Sequence, residues 1–296
     1  MTVIAELEHA VSLSRFTTLG TGGPARFFGR PSNLDSLTAL LSWARGEGHQ
    51  VETIGLGSNV LVADDGVDAL VLKLAGELAE ARVEGNVLVA GGGAANAVCL
   101  HRARAAGLGG FEFASAIPGT AGAGVRMNAG AYGRDWRAVM LDALVVDAEG
   151  TRTMTATELE LGYRHSNLSP GTVVAQVRFC LAPRDPDEIK AEVAELLAQR
   201  KATQPTTKRT FGSVFKNPAH ELGAGRMLEE CGLKGYRIGG AEISARHANF
   251  IENVNGATSA DAIALMAEAR RRAHERFGVE LEHEVQFLGQ LDLPPL

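Results

Sequence analysis

The stretch 117-IPGTAGAGVRMNAGAYG-133, near the middle of the chain, decides the fold. Five of its 17 residues are glycine, so it is too long and too rich in glycine to form one regular helix or strand. Small residues and consecutive backbone N–H groups let a ligand come close and suit an anion such as a pyrophosphate. Long ordered glycine loops are seldom only connections, so this segment predicts a ligand-binding loop, here called the central glycine loop.

A second glycine-rich segment, 55-GLGSNVLV-62, precedes it and is here called the upstream glycine loop. It lacks the third glycine of the G-x-G-x-x-G fingerprint, and the chain has no Gly-Lys-Ser or Gly-Lys-Thr of a Walker A loop. Residue types alone therefore indicate a possible phosphate site. A tight turn between two strands is an equally open alternative for this segment.

Helix and strand signals alternate irregularly around the two loops. Pro31-Ser32-Asn33 predicts a helix start, and the helix should end at Gly46 and Gly48. The chain then offers short β-rich runs, one pair of which is joined by the hairpin signal Gly85-Asn86. A further helix is expected over 95–106. The runs are 51-VETI, 60-VLV, 70-LVLKL, 81-ARVE and 87-VLVA, followed later by 141-LDALVVD, 151-TRTMT and 172-TVVAQVRF.

The last third of the chain has the signals of a separate smaller domain. A helix over 187–201 leads into the polar segment 202-ATQPTTKRT, where we place the domain change. Farther along, Thr258 and Asp261 have the spacing of a capping box and predict the start of another helix, and Gly278 predicts its end. The closing segment 279-VELEHEVQFL alternates as a strand does. The layout predicts an α+β fold with domains 1–200, divided at about residue 74 into subdomains 1–74 and 75–200, and 201–296.

Composition excludes several classes of protein. The net charge of −6 disfavours a nucleic-acid partner, since such proteins need a positive face. Three widely spaced cysteines argue against a disulfide framework and against a zinc site, and the histidines form no metal motif. We therefore expect no bound metal. We also expect no membrane association, because no apolar run reaches bilayer length. No secretory signal is visible, which favours a reducing cytoplasm.

Six motifs, taken in order, resemble the UDP-N-acetylenolpyruvoylglucosamine reductase family. The ordered set is highly specific and covers the chain from about Thr17 to Gly289. The resemblance implies a two-subdomain FAD-binding domain of the vanillyl-alcohol-oxidase-like type and a smaller C-terminal α+β substrate-binding domain, in the shorter second type of the family. The motifs are 55-GLGSNVLV, 117-IPGTAGAGVRMNAGAYG, 163-YRHS, 212-GSVFKNP, 232-GLKG and 281-LEHEVQFLG.

The resemblance also implies the cofactors and the residues that bind them. FAD would be the bound cofactor, and NADPH the co-substrate that supplies hydride, because no side chain donates hydride. The expected FAD-binding residues all belong to the two glycine loops. They are Gly55, Gly57, Ser58, Asn59, Pro118, Gly119, Thr120, Gly122, Asn128, Ala129 and Gly130.

Three residues match the family's catalytic positions. The reaction adds hydride to one carbon of an enolpyruvyl ether and a proton to its neighbour, so it needs charge stabilisation and a proton donor. Arg164 would stabilise the charge that develops toward the substrate carboxylate. Ser213 would donate the proton, and Glu284 would polarise the intermediate with Arg164, best as a protonated carboxyl. By residue type alone, each is more often an ordinary surface or turn residue.

Substrate contacts are implied by the same motifs. Tyr163 and Asn217 would bind the UDP-sugar, Asn217 at its diphosphate, and Lys216 would neutralise that charge. The sequence departs from the family pattern at Gly122-Ala123-Gly124, usually Gly-Gly-Ala, and at Thr210-Phe211, where Pro-Ser is usual.

The leading hypothesis is an NADPH-using, FAD-dependent reductase of UDP-N-acetylglucosamine enolpyruvate in peptidoglycan precursor synthesis, and so in cell-wall formation, cell shape and division. The expected partner is the UDP-sugar, without an obligate protein partner. An oxidase or dehydrogenase of the same flavin superfamily is a second hypothesis, in which Ser213 is not needed. A non-catalytic nucleotide-sugar-binding protein without flavin is a third.

Overall fold

The structure, a computed structural model, describes residues 7–296. The chain divides into two compact units, each built from separate segments. Within residues 7–296, every helix is too short or too polar to span a lipid bilayer. Among the described residues, the first unit comprises 7–9, Phe27–Leu56 and Ala69–Arg200, and the second comprises Ala10–Arg26, Gly57–Asp68 and Lys201–Leu296.

Helices and strands are interspersed along the chain, as expected of an α+β protein. The α-helices are α1 (Leu34–Gly46), α2 (Asn96–Ala105), α3 (Ala121–Arg126), α4 (Pro186–Thr203), α5 (Ala224–Glu230) and α6 (Ser259–Phe277). The strands are β1 (Leu7–Ser12), β2 (Pro24–Gly29), β3 (Val51–Thr53), β4 (Val60–Val62), β5 (Val67–Leu72), β6 (Ala81–Glu84), β7 (Val87–Gly91), β8 (Leu108–Gly109), β9 (Gly130–Ala131), β10 (Arg134–Asp135), β11 (Met140–Asp147), β12 (Gly150–Thr155), β13 (Val173–Cys180), β14 (Ala182–Pro183), β15 (Thr210–Ser213), β16 (Arg237–Ile238), β17 (Ala241–Ile243), β18 (Phe250–Asn253) and β19 (Gln286–Leu288).

The caps read from the sequence are present at two helices. Asn33 caps α1: its Oδ1 accepts a hydrogen bond from the Ser36 N–H at 2.9 Å. Thr258 caps α6 in a reciprocal box with Asp261, and Gly278 ends the helix in the left-handed conformation at φ +66°. Capping residues satisfy backbone groups that a helix cannot satisfy itself, which is why these ends are readable from sequence.

Two sheets form most of the first unit. A five-stranded antiparallel sheet has the order β12-β11-β13-β7-β6 and contains the predicted hairpin at Gly85-Asn86 and a second hairpin between β11 and β12. A four-stranded sheet of order β1-β2-β5-β3 lies mostly in this unit, and its strands β3 and β5 are parallel. Helix α1 buries Leu37, Leu40 and Leu41, whereas Leu34, in its first turn, is 36% exposed.

An aromatic core lies beneath the central glycine loop in the first unit. Trp136 is fully buried, and its ring centroid lies 5.5 Å from that of Phe111 and 5.6 Å from that of Phe113. A Cβ atom on Gly124 would stand 2.3 Å from Trp136 Cε2, and one on Gly122 would stand 2.9 Å from a backbone carbonyl oxygen. These two positions exclude any side chain. Ala123 between them is exposed, so the order Gly-Ala-Gly fits the packing.

The second unit is built on the sheet β15-β18-β17-β16, which is antiparallel, with α5 and α6 packed in the same core. Strands β19 and β4 pair in parallel, with Phe287 opposite Leu61. Leu19 and Leu61 are fully buried in this core, although both come from the first quarter of the chain. The segments that complete this unit are therefore distant from it in sequence.

The regular strand at the end of the chain is shorter than predicted. Only Gln286–Leu288 forms β19, and an isolated bridge joins His283 to Phe215 upstream of it. Leu281 and Val285 are buried while Glu282 is exposed, so the alternation of faces holds without a continuous ladder. Burial rather than regular pairing produced the pattern in the sequence.

Candidate functional site

The start of the upstream glycine loop is fixed within the first unit. Lys73 Nζ donates a hydrogen bond to the Gly55 carbonyl oxygen at 2.6 Å. Burial, and to a smaller extent Arg30, lowers the pKa of the Lys73 ammonium group. A Cβ atom on Gly55 would stand 2.9 Å from Thr120 Oγ1, so glycine brings this residue against the central glycine loop. The structure thus places two predicted cofactor residues, Gly55 and Thr120, side by side.

The central glycine loop turns into the short helix α3. Thr120 Oγ1 accepts a hydrogen bond from the Ala123 N–H at 3.5 Å, and the Ala121 N–H donates to Ala94 O at 2.9 Å. The Gly122 N–H donates to Gly92 O at 2.8 Å. These bonds hold the loop against the turn after β7.

A cavity of about 450 Å³ opens beside this loop in the first unit. Most of the wall is apolar, and the volume lies within the usual range for small-molecule sites. The wall is formed by Leu56, Ala95, Ala97, Leu100, His101, Arg104, Ala114, Ser115, Ile117, Pro118, Gly119, Val193, Leu197 and Arg200.

The cavity has the chemistry expected of a cofactor site. Ser115 Oγ is buried and has no hydrogen-bond partner within residues 7–296, so it can accept or donate a bond to a ligand. Arg104 and Arg200 supply positive charge, and burial lowers the pKa of the Arg200 guanidinium. An apolar wall with two guanidinium groups fits a cofactor that carries both rings and phosphates, as FAD does. Pro118 and Gly119, two of the predicted FAD residues, belong to this wall.

Asn128 is placed under the loop rather than along its open side. It is buried, and its Nδ2 donates to Gly162 O at 2.7 Å and to Asp135 Oδ2 at 3.0 Å. Its Oδ1 accepts the Arg137 N–H at 3.0 Å. The side chain of this predicted FAD residue thus binds protein groups, whereas Ala129 and Gly130 after it are half-buried.

Arg164 lies next to the central glycine loop in the first unit. Its Nη2 donates to Gly130 O at 3.1 Å, and its guanidinium carbon lies 5.2 Å from the ring centroid of Tyr163. Arg164 has φ +52°, a left-handed conformation that costs about 1–2 kcal/mol for a residue with a side chain. Tyr163 is 55% exposed. The strained backbone directs two predicted site residues from one turn, and strain of this kind concentrates at functional sites.

Arg126 supports the segment that carries Arg164, although no sequence argument singled it out. Its Nη2 donates to Thr172 O at 2.5 Å and its Nη1 to Leu168 O at 3.4 Å, while its own carbonyl accepts Ser166 Oγ at 2.7 Å. Burial lowers the pKa of Arg126, and the nearby Glu52 partly opposes that shift. In the sequence, the signal for this supporting role is a charged residue inside a loop of glycines and apolar residues.

Ser213 and Glu284 lie on paired segments of the second unit. The Glu284 N–H donates to the carbonyl oxygen of Val214, the residue after Ser213, at 2.7 Å. Phe215 is bridged to His283. The structure therefore brings together two predicted catalytic residues that are 71 positions apart in the sequence. Arg164, the third predicted catalytic residue, belongs to the first unit.

Arg270 supports the segment before Glu284 and was also missed by the sequence reasoning. It is 7% exposed, and its Nε donates to Leu281 O at 3.1 Å. Its Nη1 donates to Pro294 O at 2.7 Å and its Nη2 to Glu280 Oε1 at 2.5 Å. One helix side chain thus fixes the chain on both sides of Glu284. The run Arg270–Arg272 looks like an ordinary exposed charged face, which concealed this role.

The predicted diphosphate residues follow Ser213 directly. The Lys216 N–H donates to Glu282 O at 2.9 Å, and its Nζ forms an ion pair with Glu282 Oε1 at 2.5 Å. Asn217 Oδ1 accepts the Ala224 N–H at 3.0 Å and so satisfies the start of α5. The amide oxygen of Asn217 is therefore committed to the backbone of α5.

Two family profiles match the chain. The profile "UDP-N-acetylenolpyruvoylglucosamine reductase, C-terminal domain" matches residues 204–288, and the profile "FAD binding domain" matches residues 25–155. The chain is 41% identical over 285 residues to UDP-N-acetylenolpyruvoylglucosamine reductase 2 of Symbiobacterium thermophilum, covering 96% of this chain and 92% of that protein. It is also 41% identical to the reductase of Myxococcus xanthus, covering 96% of this chain and 93% of that protein.

Among solved structures, the chain is similar to UDP-N-acetylenolpyruvylglucosamine reductase from Thermus caldophilus. The TM-score is 0.83 at 35% identity, over 95% of this chain and 98% of that one. The predicted α+β fold, with an FAD-binding domain and a C-terminal domain, is confirmed by these matches and by the mixed sheets. The family resemblance read from the six motifs is likewise confirmed.

Proposed function

This chain belongs to the UDP-N-acetylenolpyruvoylglucosamine reductase family, and from that premise we propose which of its residues carry the reaction. The protein is an FAD-dependent oxidoreductase that reduces UDP-N-acetylglucosamine enolpyruvate with NADPH. Its product, UDP-N-acetylmuramate, is a peptidoglycan precursor. The similarity over 96% of the chain, with both domain profiles matched, is the observation that carries this assignment.

The cofactor-binding residues we propose line the two glycine loops and the cavity beside them. Bound FAD supplies the hydride that reduces the substrate, after NADPH has reduced it. Within the first unit, the backbone of the central glycine loop and of Gly55 would bind the pyrophosphate, and the apolar cavity with Arg104 and Arg200 would exclude water around part of the cofactor. Support comes from the close packing of Gly55 on Thr120 and from the unpartnered Ser115 Oγ.

Arg164 is the proposed stabiliser of negative charge. Hydride addition to the enol ether moves charge toward the substrate carboxylate, and a guanidinium presents a fixed pair of donors to such a group. Its bond to Gly130 O in the central glycine loop supports a role next to the cofactor. The left-handed backbone conformation of Arg164 also supports this role, because strained backbone conformations concentrate at functional sites.

Ser213 is the proposed proton donor, and Glu284 its partner in stabilising the intermediate. A serine hydroxyl is a weak acid, so it has to be held close to the carbon that it protonates. The hydrogen bond between Glu284 N and Val214 O links the two segments. Tyr163, Lys216 and Asn217 are the proposed UDP-sugar contacts, with Lys216 next to the diphosphate.

We place the reaction in the cytoplasm, where its nucleotide substrates are made, and expect the protein to act without an obligate partner. The functional domains we propose remain 1–200, with subdomains of about 1–74 and 75–200, and 201–296. The compact units differ from that division in two segments, because residues 10–26 and 57–68 cluster with the C-terminal residues.

The assignment is tested by following flavin absorbance under anaerobic conditions. Purified protein should bind FAD, lose the flavin colour on addition of NADPH and regain it when the enolpyruvyl substrate is added. Ser213→Ala should slow the second step by about 100-fold while leaving the first step unchanged, because proton donation typically contributes 10²–10⁴-fold. Ser169→Ala, at an exposed loop position, is the control.

Two results would contradict the proposal. Flavin that is reduced but never reoxidised by the enol ether would remove the substrate assignment and favour another oxidoreductase of the flavin superfamily. Full activity in the Ser213→Ala variant would favour the same alternative. A colourless protein that takes up no FAD would favour a nucleotide-sugar-binding protein.

A further inference from the structure

The side chain of Asn59 is directed toward the strand that carries Ser213. Its Nδ2 donates one hydrogen bond to Phe211 O at 2.8 Å and another to Ser213 O at 3.0 Å. The two acceptors lie on either side of Gly212, which has φ +77°. A single amide group therefore fixes the backbone on both sides of the most permissive residue in that strand.

The main chain of Asn59 is bonded to the segment that carries Glu284. The Gln286 N–H donates to Asn59 O at 3.1 Å, and β4, which begins at the next residue, pairs with β19. The Glu284 N–H in turn donates to Val214 O at 2.7 Å. The hydrogen bonds thus form a closed ring through Asn59, the Ser213 strand and the Glu284 segment, all within the second unit.

Only an uncharged amide suits this position. Both Nδ2 hydrogens are donated to carbonyl oxygens, so a carboxylate here would bring negative charge against two acceptors. Asn59 Oδ1 is buried and accepts no hydrogen bond from any described residue. A buried acceptor without a partner is costly, so the two donated bonds are made at the expense of that cost.

We propose that Asn59 is a positioning residue for Ser213 and Glu284, and that it acts on proton transfer through this ring of hydrogen bonds. This inference rests on the proposed function, which gives Ser213 and Glu284 their roles. It assigns the side chain of Asn59 to the substrate-reducing step, whereas the motif alone places the residue at the cofactor.

The two half-reactions and the flavin affinity separate these roles. In Asn59→Ala, reoxidation of reduced flavin by the enolpyruvyl substrate should slow by about 10- to 100-fold, since small misplacements of reacting groups cost about that much. Reduction of the flavin by NADPH and the FAD dissociation constant should change much less than reoxidation does, because both bonds donated by the Asn59 side chain go to the Ser213 strand.

A double variant and a matched control complete the test. In a Ser213→Ala background, Asn59→Ala should slow reoxidation clearly less than it slows wild type, because one of the two groups that it positions is already absent. Asn253→Ala loses the same number of side-chain bonds, to Leu19 O and from the Ala257 N–H, each 3.0 Å long, and should leave both half-reactions near wild type. Asn59→Asp keeps the shape of the side chain and should slow reoxidation at least as much as alanine.

The proposal is overturned if flavin affinity or flavin reduction falls in parallel with reoxidation. It is also overturned if Asn59→Ala slows the Ser213→Ala enzyme as much as it slows wild type. If the alanine variant does not fold, the aspartate variant decides: near-wild-type reoxidation in it contradicts the proposal. Failure of the proposed function would show differently, as wild-type flavin that the substrate does not reoxidise.

Discussion

The segments that carry Arg164 and Ser213 are held in place in different ways. Ser213 lies at the end of a strand whose carbonyl oxygens and N–H groups are bonded to neighbouring chain segments and to Asn59. Arg164 lies in the irregular segment 162–172, which is held by the side chains of Arg126 and Asn128. Backbone pairing tolerates substitution, whereas a loop tied by two side chains depends on both. The comparison teaches that the site in the first unit is sensitive to substitution at two side chains of the central glycine loop, Arg126 and Asn128.

The largest expected effect follows loss of the buried guanidinium in the first unit. Arg126→Met leaves the Leu168 and Thr172 carbonyl oxygens without this donor and Glu52 without the opposing charge. We expect the free energy of unfolding to fall by about 3 kcal/mol, because two partly buried carbonyl oxygens lose their donor and hydrogen bonds from a charged group are worth about 1.5–3 kcal/mol each. Chemical denaturation measures this, and kcat should fall with it as Arg164 loses its support. Arg178→Met, at an exposed ion pair with Asp142, should change stability far less.

The second-largest loss of stability is expected when the Asn128 amide, beneath the central glycine loop, is removed. Asn128→Ala removes bonds to Gly162 O, Asp135 and the Arg137 N–H from a buried site. A loss of about 2 kcal/mol in unfolding free energy is expected, because buried partners are left unsatisfied. Asn167→Ala, which removes one exposed bond, is the matched control. Equal losses in the two variants would break the comparison.

Alanine substitutions at two glycines test how rigidly the Ser213 strand is held. Gly212 and Gly232 have φ of +77° and +71°, so alanine is strained at both. A Cβ atom on Gly212 would stand 3.0 Å from Ser58 O, while no described atom lies within 4 Å of one on Gly232. Gly212→Ala should cost about 1 kcal/mol more than Gly232→Ala, because it adds crowding to a shared strain of similar size. Identical costs would show that the Ser213 strand adapts freely.

The smallest effect is an opposite pH dependence of the two units. Burial lowers the pKa of His247 below its ordinary 6.5, so the second unit should lose stability as pH falls through 6.5 and the unfolded chain binds the proton first. Burial raises the pKa of Glu52 above its ordinary 4.5, so its burial should cost less as pH falls toward 4.5. Unfolding curves of His247→Gln and Glu52→Gln, compared with wild type across pH 4–7.5, should therefore diverge in opposite directions. If both variants differ from wild type in the same direction as pH changes, the opposite pKa shifts of His247 and Glu52 are contradicted.

Local signals in the sequence predicted much of the fold. The caps at Asn33 and Thr258 and the hairpin at Gly85-Asn86 involve residues close in sequence, so their chemistry is visible there. The helix predicted over 187–201 is present as α4, but only Ile189 of its side chains is buried and Leu197 is 43% exposed. A helical period indicates a helix without showing how much of one face is covered.

The supports of the site were harder to predict, because their partners are far apart in the chain. Asn59 and the strand it binds are separated by about 150 positions, and the buried bonds of Arg126 reach a loop about 40 residues away. Motifs identify residues that contact ligands in relatives, and they do not show which side chains hold those residues in place. That information required the packed structure.

The discontinuous second unit has a practical consequence for dividing this protein into fragments. A peptide made of residues 201–296 would lack Leu19 and Leu61, both fully buried in the core of that unit, and β4, the neighbour of β19. Expressed alone, such a fragment would expose an unpaired edge and an open apolar surface, both features that promote aggregation. The cut that looks natural in the sequence is therefore a poor cloning boundary, and labels or fluorophores are better introduced into the intact chain.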